Sequence, residues 1–167
     1  MQDVFDFAMQ MEQDGRDYYE EMASKTKIPA LKKILTGLAD DEKRHYQIFK
    51  NLKEQHSDQV SQLSEKSTTI MSDARNIFEQ LSGDEVEVDT AGDAIEVWEH
   101  AQEIEKKSED FYREKAGVVP DKTARDLLNK IADEEHKHWA LIESVMQFLH
   151  RPDRWLEDAE WNHLEEY

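Results

Sequence analysis

The sequence predicts an all-α fold, a bundle of four long helices made from two copies of one helical hairpin. Three observations carry this. Only five glycines and three prolines interrupt 167 residues, too few for the frequent turns of a many-stranded β fold. Apolar residues recur at 3-4 spacing through four long stretches, the period of a helix that buries one face. Residues 8–23 (AMQMEQDGRDYYEEMA) also align without a gap on residues 101–116 (AQEIEKKSEDFYREKA), and residues 38–49 (LADDEKRHYQIF) on 131–142 (IADEEHKHWALI), at one common offset of 93 positions. A chain of this length suits a single hydrophobic core.

The first helix is expected over about residues 2–24, with Phe5, Ala8, Glu12, Gly15, Tyr19 and Met22 on its inner face. The second, about 29–55, starts at Pro29, whose missing N–H is not needed in a first helical turn, and turns Leu31, Leu35, Leu38, Glu42, His45, Phe49 and Leu52 inward. Residues 56–91 are expected to cross from one end of the bundle to the other. They hold a polar stretch, a short helix with Ile70, Ile77, Phe78 and Leu81, and a loop, SGDEVEVDTAG. The crossover lets the second and third long helices run parallel. The third helix, about 92–116, presents Trp98, Ala101, Glu105, Ser108 and Tyr112 and stops at Gly117. The fourth, about 120–149, opens on Pro120 and presents Ala124, Leu128, Ile131, Glu135, His138, Ile142, Val145 and Leu149. Residues 1–150 thus form the bundle, and 151–167 a short helical tail that caps it or meets a second subunit.

With 39 acidic and 21 basic side chains and a formal charge of -18, the chain repels phosphate, so no nucleic-acid partner is expected. It has no cysteine, which excludes disulfides, cysteine-ligated clusters and thiol nucleophiles. No apolar run long enough for a membrane span and no signal-like segment occur, so the expected compartment is the cytoplasm.

Each apolar stripe is broken near its middle by a group that should not be buried alone. Glu12 and Glu42 lie equidistant from the first interhelical break, and Glu105 and Glu135 from the second. At 1.5 Å per residue all four carboxylates meet in one layer about 20 Å from the hairpin ends. His45 and His138 follow Glu42 and Glu135 by three residues, one turn along the same face. Four ionised carboxylates in a dry layer need counter-charge, and no Lys or Arg occupies these inner positions. Two divalent cations balance them, and oxygen with imidazole ligands suits iron or manganese. The bland alternative is a hydrated polar layer that fixes helix register, or a set of salt-bridged acids that lie on the outer surface instead.

One Glu from each of two helices, with Glu-x-x-His from the other two, resembles the ligand pattern of ferritin-like di-iron bundles. Within that superfamily the MEQDGRDYYEEMA and ADEEHKHWALIE segments are most similar to rubrerythrins, over about residues 1–55 and 90–150. The resemblance implies two irons bridged by Glu42 and Glu135, with Glu12 and Glu105 as outer carboxylates and His45 and His138 as terminal ligands. Manganese or zinc could substitute. It further implies that Tyr19 and Tyr112 hydrogen-bond ligating carboxylates, the alternative being plain core packing. Asp41 and Glu134 are candidates to orient the opposite imidazole through its second nitrogen, the alternative being solvated helix surface. The other histidines, His56, His100, His136, His150 and His163, read as surface or local hydrogen-bonding groups.

The implied function is reduction of hydrogen peroxide or dioxygen by a cytoplasmic homodimer. Two departures bear on it. Rubrerythrins carry a second carboxylate one turn beyond the third-helix ligand that exchanges with an imidazole, and here that position is Ser108. They also carry a rubredoxin-like domain, and with no cysteine this chain needs an external electron-donor protein such as a rubredoxin. The rival readings are a ferroxidase that passes iron on for storage, a dimanganese catalase and a metal-free helical scaffold.

Overall fold

The computed structural model describes residues 2–55, 65–80 and 95–150. The expected tail 151–167, the loop at 82–92 and Leu81 lie outside the described residues. Five helices occur in the order α1 (Gln2–Lys25), α2 (Pro29–Lys53), α3 (Ile70–Glu79), α4 (Ile95–Ala116) and α5 (Lys122–His150). Among the described residues there is no strand, and no helix is long and apolar enough to cross a membrane.

The long helices end where the local chemistry ends them. Pro29 stands in the first turn of α2, after Ile28 in extended conformation. At the other end of α2 the N–H of Glu54 bonds to the Lys50 carbonyl, and Gln55 takes φ 61°, a left-handed residue that turns the chain out of the helix. The N–H of Gly117 closes α4 on the carbonyls of Arg113 and Glu114. Pro120 corrects the expectation that it opens the fourth helix. The Asp121 carboxylate accepts the Ala124 N–H at 2.9 Å, which makes Asp121 the N-cap and leaves Pro120 just outside.

α1 pairs with α2 and α4 with α5 as antiparallel hairpins, and the two hairpins face each other. Phe7 meets Phe111 with ring centroids 4.8 Å apart, while eleven residues along α1 the Tyr18 hydroxyl donates to the Val97 carbonyl at 2.8 Å. α1 and α4 are therefore antiparallel, and α2 and α4 parallel, which needs a crossover between them.

The core divides into two apolar clusters. One holds Phe5, Phe49, Tyr112, Leu128 and Ile131; the other holds Leu31, Leu35, Leu38, Trp98, Ile142 and Phe148. Each fully buried large side chain contributes about 1.5–3 kcal/mol. α3 seals the second cluster through Ile70, Ala74 and Phe78, the last against Phe148 at 5.3 Å. The tip of Ile70 packs over Gly37 of α2, where a Cβ would stand 2.6 Å from Ile70 Cδ1. Between the two clusters lies a layer of acids and imidazoles.

Candidate metal centre

Six polar side chains fill that layer, one or two from each long helix. Glu12 comes from α1, Glu42 and His45 from α2, Glu105 from α4, and Glu135 and His138 from α5; none is more than 4% exposed. They form two groups that could each hold a metal ion, Glu12, Glu42, His45 and Glu135 in one and Glu42, Glu105, Glu135 and His138 in the other. Within a group the candidate ligand atoms all lie within 4.8 Å of one another, and Glu42 and Glu135 belong to both. The helical register explains the convergence, because Glu and His one turn apart share a face.

Both imidazoles aim Nδ1 inward. His45 Nδ1 stands 2.8 Å from Glu135 Oε1 and 3.4 Å from Glu12 Oε2; His138 Nδ1 stands 3.1 Å from Glu42 Oε1 and 3.4 Å from Glu105 Oε1. The rings are nearly parallel, 20° apart, with centroids separated by 6.0 Å. Nε2 points outward in each case, 2.8 Å from Asp41 Oδ2 for His138 and 3.4 Å from Glu134 Oε1 for His45. The outer oxygens of the layer are held by phenols across the bundle: Tyr112 donates to Glu12 Oε1 at 2.5 Å, and Tyr19 donates to Glu105 Oε1.

The donors fit a pair of cations. Glu12 Oε2, Glu42 Oε1, Glu105 Oε2, Glu135 Oε1 and both Nδ1 atoms are buried with no hydrogen-bond partner. An unpaired buried polar group costs about 1–3 kcal/mol, and here six such atoms converge on one small space. Oxygen and imidazole donors in this ratio suit iron or manganese.

Protons take the place of cations when no metal is bound. Burial, then the charges of Glu12 and Glu105, pushes Glu42 well above the usual carboxylate range; burial, then Glu105 and Glu42, does the same to Glu135. Burial disfavours charge on the imidazoles, yet surrounding carboxylates, Glu12 foremost for His45 and Glu105 for His138, raise both well above the ordinary histidine value. Burial also works against ionised Glu105, but the His138 charge and the hydrogen bonds of its neighbours hold it below its usual value. Both phenols are pushed up, mainly by burial, and stay protonated donors.

The outer carboxylates behave differently. Against the cost of burial, the His138 ring and the Thr68 hydroxyl lower the Asp41 carboxyl to about 2. Against the same cost, His45 and Arg44 lower Glu134 to about 2. Arg44 Nη2 donates to Glu134 and lies 3.7 Å from Asp41. Thr68, from the crossover, donates its hydroxyl to Asp41 and its N–H to Glu134 Oε1 at 3.0 Å.

A cleft of about 610 Å³ lies between α1 and α4, the two long helices that contribute no imidazole to the layer. Phe7, Met11, Ile104 and Phe111 line it, and Gly15 and Ser108, one position seen in the two repeats, stand one turn beyond Glu12 and Glu105. A Cβ on Gly15 would lie 3.1 Å from Glu42 Oε2, so a larger residue there would press that carboxylate aside by a few tenths of an ångström.

All ten residues singled out in the sequence surround this layer. Arg44 and Thr68 went unrecognised, and Gly15 was placed on the inner face without a role. Arg44 sits one row off the inner face, Thr68 belongs to the unrepeated crossover, and Gly15 carries no group to notice. Its offset partner Ser108, also small, was the available signal. Glu109 is buried as well, but it faces Arg113 and His136 rather than the layer.

A family model described as rubrerythrin matches residues 3–146. A hypothetical protein from Pyrococcus furiosus is similar in structure, with TM-score 0.65 and 22% identity over 89% of each chain, a likeness of fold. No curated protein matches.

Proposed function

We propose that this chain, which belongs to the rubrerythrin family, is a di-iron oxidoreductase that reduces hydrogen peroxide or dioxygen with electrons from an external protein. The observation that supports it most is the pair of ligand groups sharing Glu42 and Glu135. Iron, when bound, would supply the redox equivalents, one electron per ion, so that two ions provide the two electrons that, with two protons from solvent, turn peroxide into two waters.

The chain's own residues hold and shield that chemistry. Glu42 and Glu135 would bridge the ions, Glu12 and Glu105 would each bind one, and His45 and His138 would close each set through Nδ1. Tyr19 and Tyr112 keep the outer carboxylates in place by donating to one oxygen and leaving the other free. The apolar clusters on either side exclude bulk water. The cleft between α1 and α4, with Gly15 and Ser108 one turn from Glu12 and Glu105, would be the approach for small oxidants. Electrons would come from an external donor protein such as a rubredoxin.

Anaerobic loading with Fe(II), metal quantification and rapid mixing with peroxide or oxygen test the proposal. Two irons per chain, oxidised faster by peroxide than by oxygen, and a dimer by light scattering support it. A shell of many subunits that retains oxidised iron supports storage instead, and a chain that takes up no iron contradicts both.

A further inference from the structure

We infer that Thr68, carried by the crossover, is a positioning residue that holds both imidazoles of the centre at once, through Asp41 for His138 and through Glu134 for His45. The inference rests on the metal-binding reading above and adds to it a residue outside the repeated hairpins.

The geometry is a single clamp across two half-sites. The Ile70 N–H donates to Thr68 Oγ1 at 3.2 Å, the same hydroxyl donates to Asp41 Oδ2, and that oxygen faces His138 Nε2 at 2.8 Å. From the same residue the backbone N–H reaches Glu134 Oε1, which lies 3.4 Å from His45 Nε2, an ion-pair contact rather than a hydrogen bond. Asp41 belongs to α2 and Glu134 to α5, so one residue ties a carboxylate of each hairpin. Arg44 reinforces the clamp by donating to the Lys66 carbonyl at 3.2 Å and to Glu134. Thr68 is itself held by α3, whose first residue, Ile70, is buried against Gly37.

The Nε2 partner of a ligating imidazole sets its tautomer and the direction of its Nδ1 lone pair, and loss of such a partner typically weakens metal binding about 10–100-fold. The two arms of the clamp are chemically distinct. Thr68→Val removes the hydroxyl arm at nearly constant volume and leaves the N–H arm to Glu134. The effect should therefore be lopsided, falling on the half-site that contains His138.

The test is a titration of metal-free protein with cobalt(II), followed by calorimetry and by exchange of the imidazole Nε2 protons in the loaded protein. The parent is expected to bind two ions. Thr68→Val should weaken one step about 10-fold and speed exchange of one Nε2 proton, while Thr68→Ser restores both. Thr69→Val should leave both steps unchanged, because the Thr69 hydroxyl bonds to Asp73 at 2.7 Å. Two equal, parent-like steps in Thr68→Val, or an equal loss in both, would overturn the clamp while leaving the metal-binding reading intact. A parent that binds no cobalt overturns the two together.

Discussion

At the scale of single residues, the centre is a place where burial and charge are in conflict, and each neighbouring side chain can be assigned a part in resolving it. Tyr112 gives Glu12 its one hydrogen bond. Tyr112→Phe should cost about 1–3 kcal/mol in metal-free protein, by urea denaturation, because it leaves a buried acceptor unpaired. Ser108 lines the cleft without belonging to either ligand group. Ser108→Leu should leave two-ion uptake intact and slow oxidation of the loaded protein by peroxide several-fold in rapid mixing. An unchanged rate would mean that the oxidant enters elsewhere. The six inward residues were legible in the sequence because a Glu or His inside an apolar stripe contradicts its surroundings, and the repeat doubled the contradiction. Thr68 was not legible, since its partners Asp41 and Glu134 are distant along the chain and a threonine in a polar crossover contradicts nothing.

At the scale of elements, the four long helices were readable because period, caps and repeat agree. The helix at Ile70–Glu79 was readable from Ile70, Ile77 and Phe78, but its role was not. That role depends on long-range packing, Ile70 over Gly37 of α2 and Phe78 on Phe148 of α5. Phe78 is buried against Phe148. Phe78→Ala should destabilise α3 by about 3 kcal/mol, seen as faster amide exchange in residues 70–79 while the four long helices stay protected. Equal loss of protection throughout would show that α3 is part of the bundle's cooperative unit. Pro120 was misplaced by two residues because Asp121 is the stronger helix-start signal, its side chain reaching the Ala124 N–H. Asp121→Ala should lower stability by about 1 kcal/mol.

At the scale of the whole molecule, two hairpins are held face to face across a layer that is costly unless cations or protons fill it. The sign of its pH dependence follows. Glu42, Glu135, His45 and His138 all have raised affinities for protons in the metal-free fold, the acids mainly through burial and the imidazoles through carboxylates that outweigh burial. The folded chain then binds more protons than the unfolded one, so stability is fully present below the unfolded values and lost as pH rises through the folded ones. Metal-free protein should melt at lower temperature at about pH 8 than at about pH 5, and the gain from bound metal should grow over the same range, because ions displace these protons. A metal-free melting temperature that rises with pH across that range would contradict this charge balance. The most direct test of the whole account is anomalous X-ray diffraction at the iron edge from protein loaded anaerobically with Fe(II). Two peaks are expected between Glu42 and Glu135, one also in contact with Glu12 and His45, the other with Glu105 and His138. Diffraction showing no iron in this layer, or a single ion bound outside it, would contradict the account.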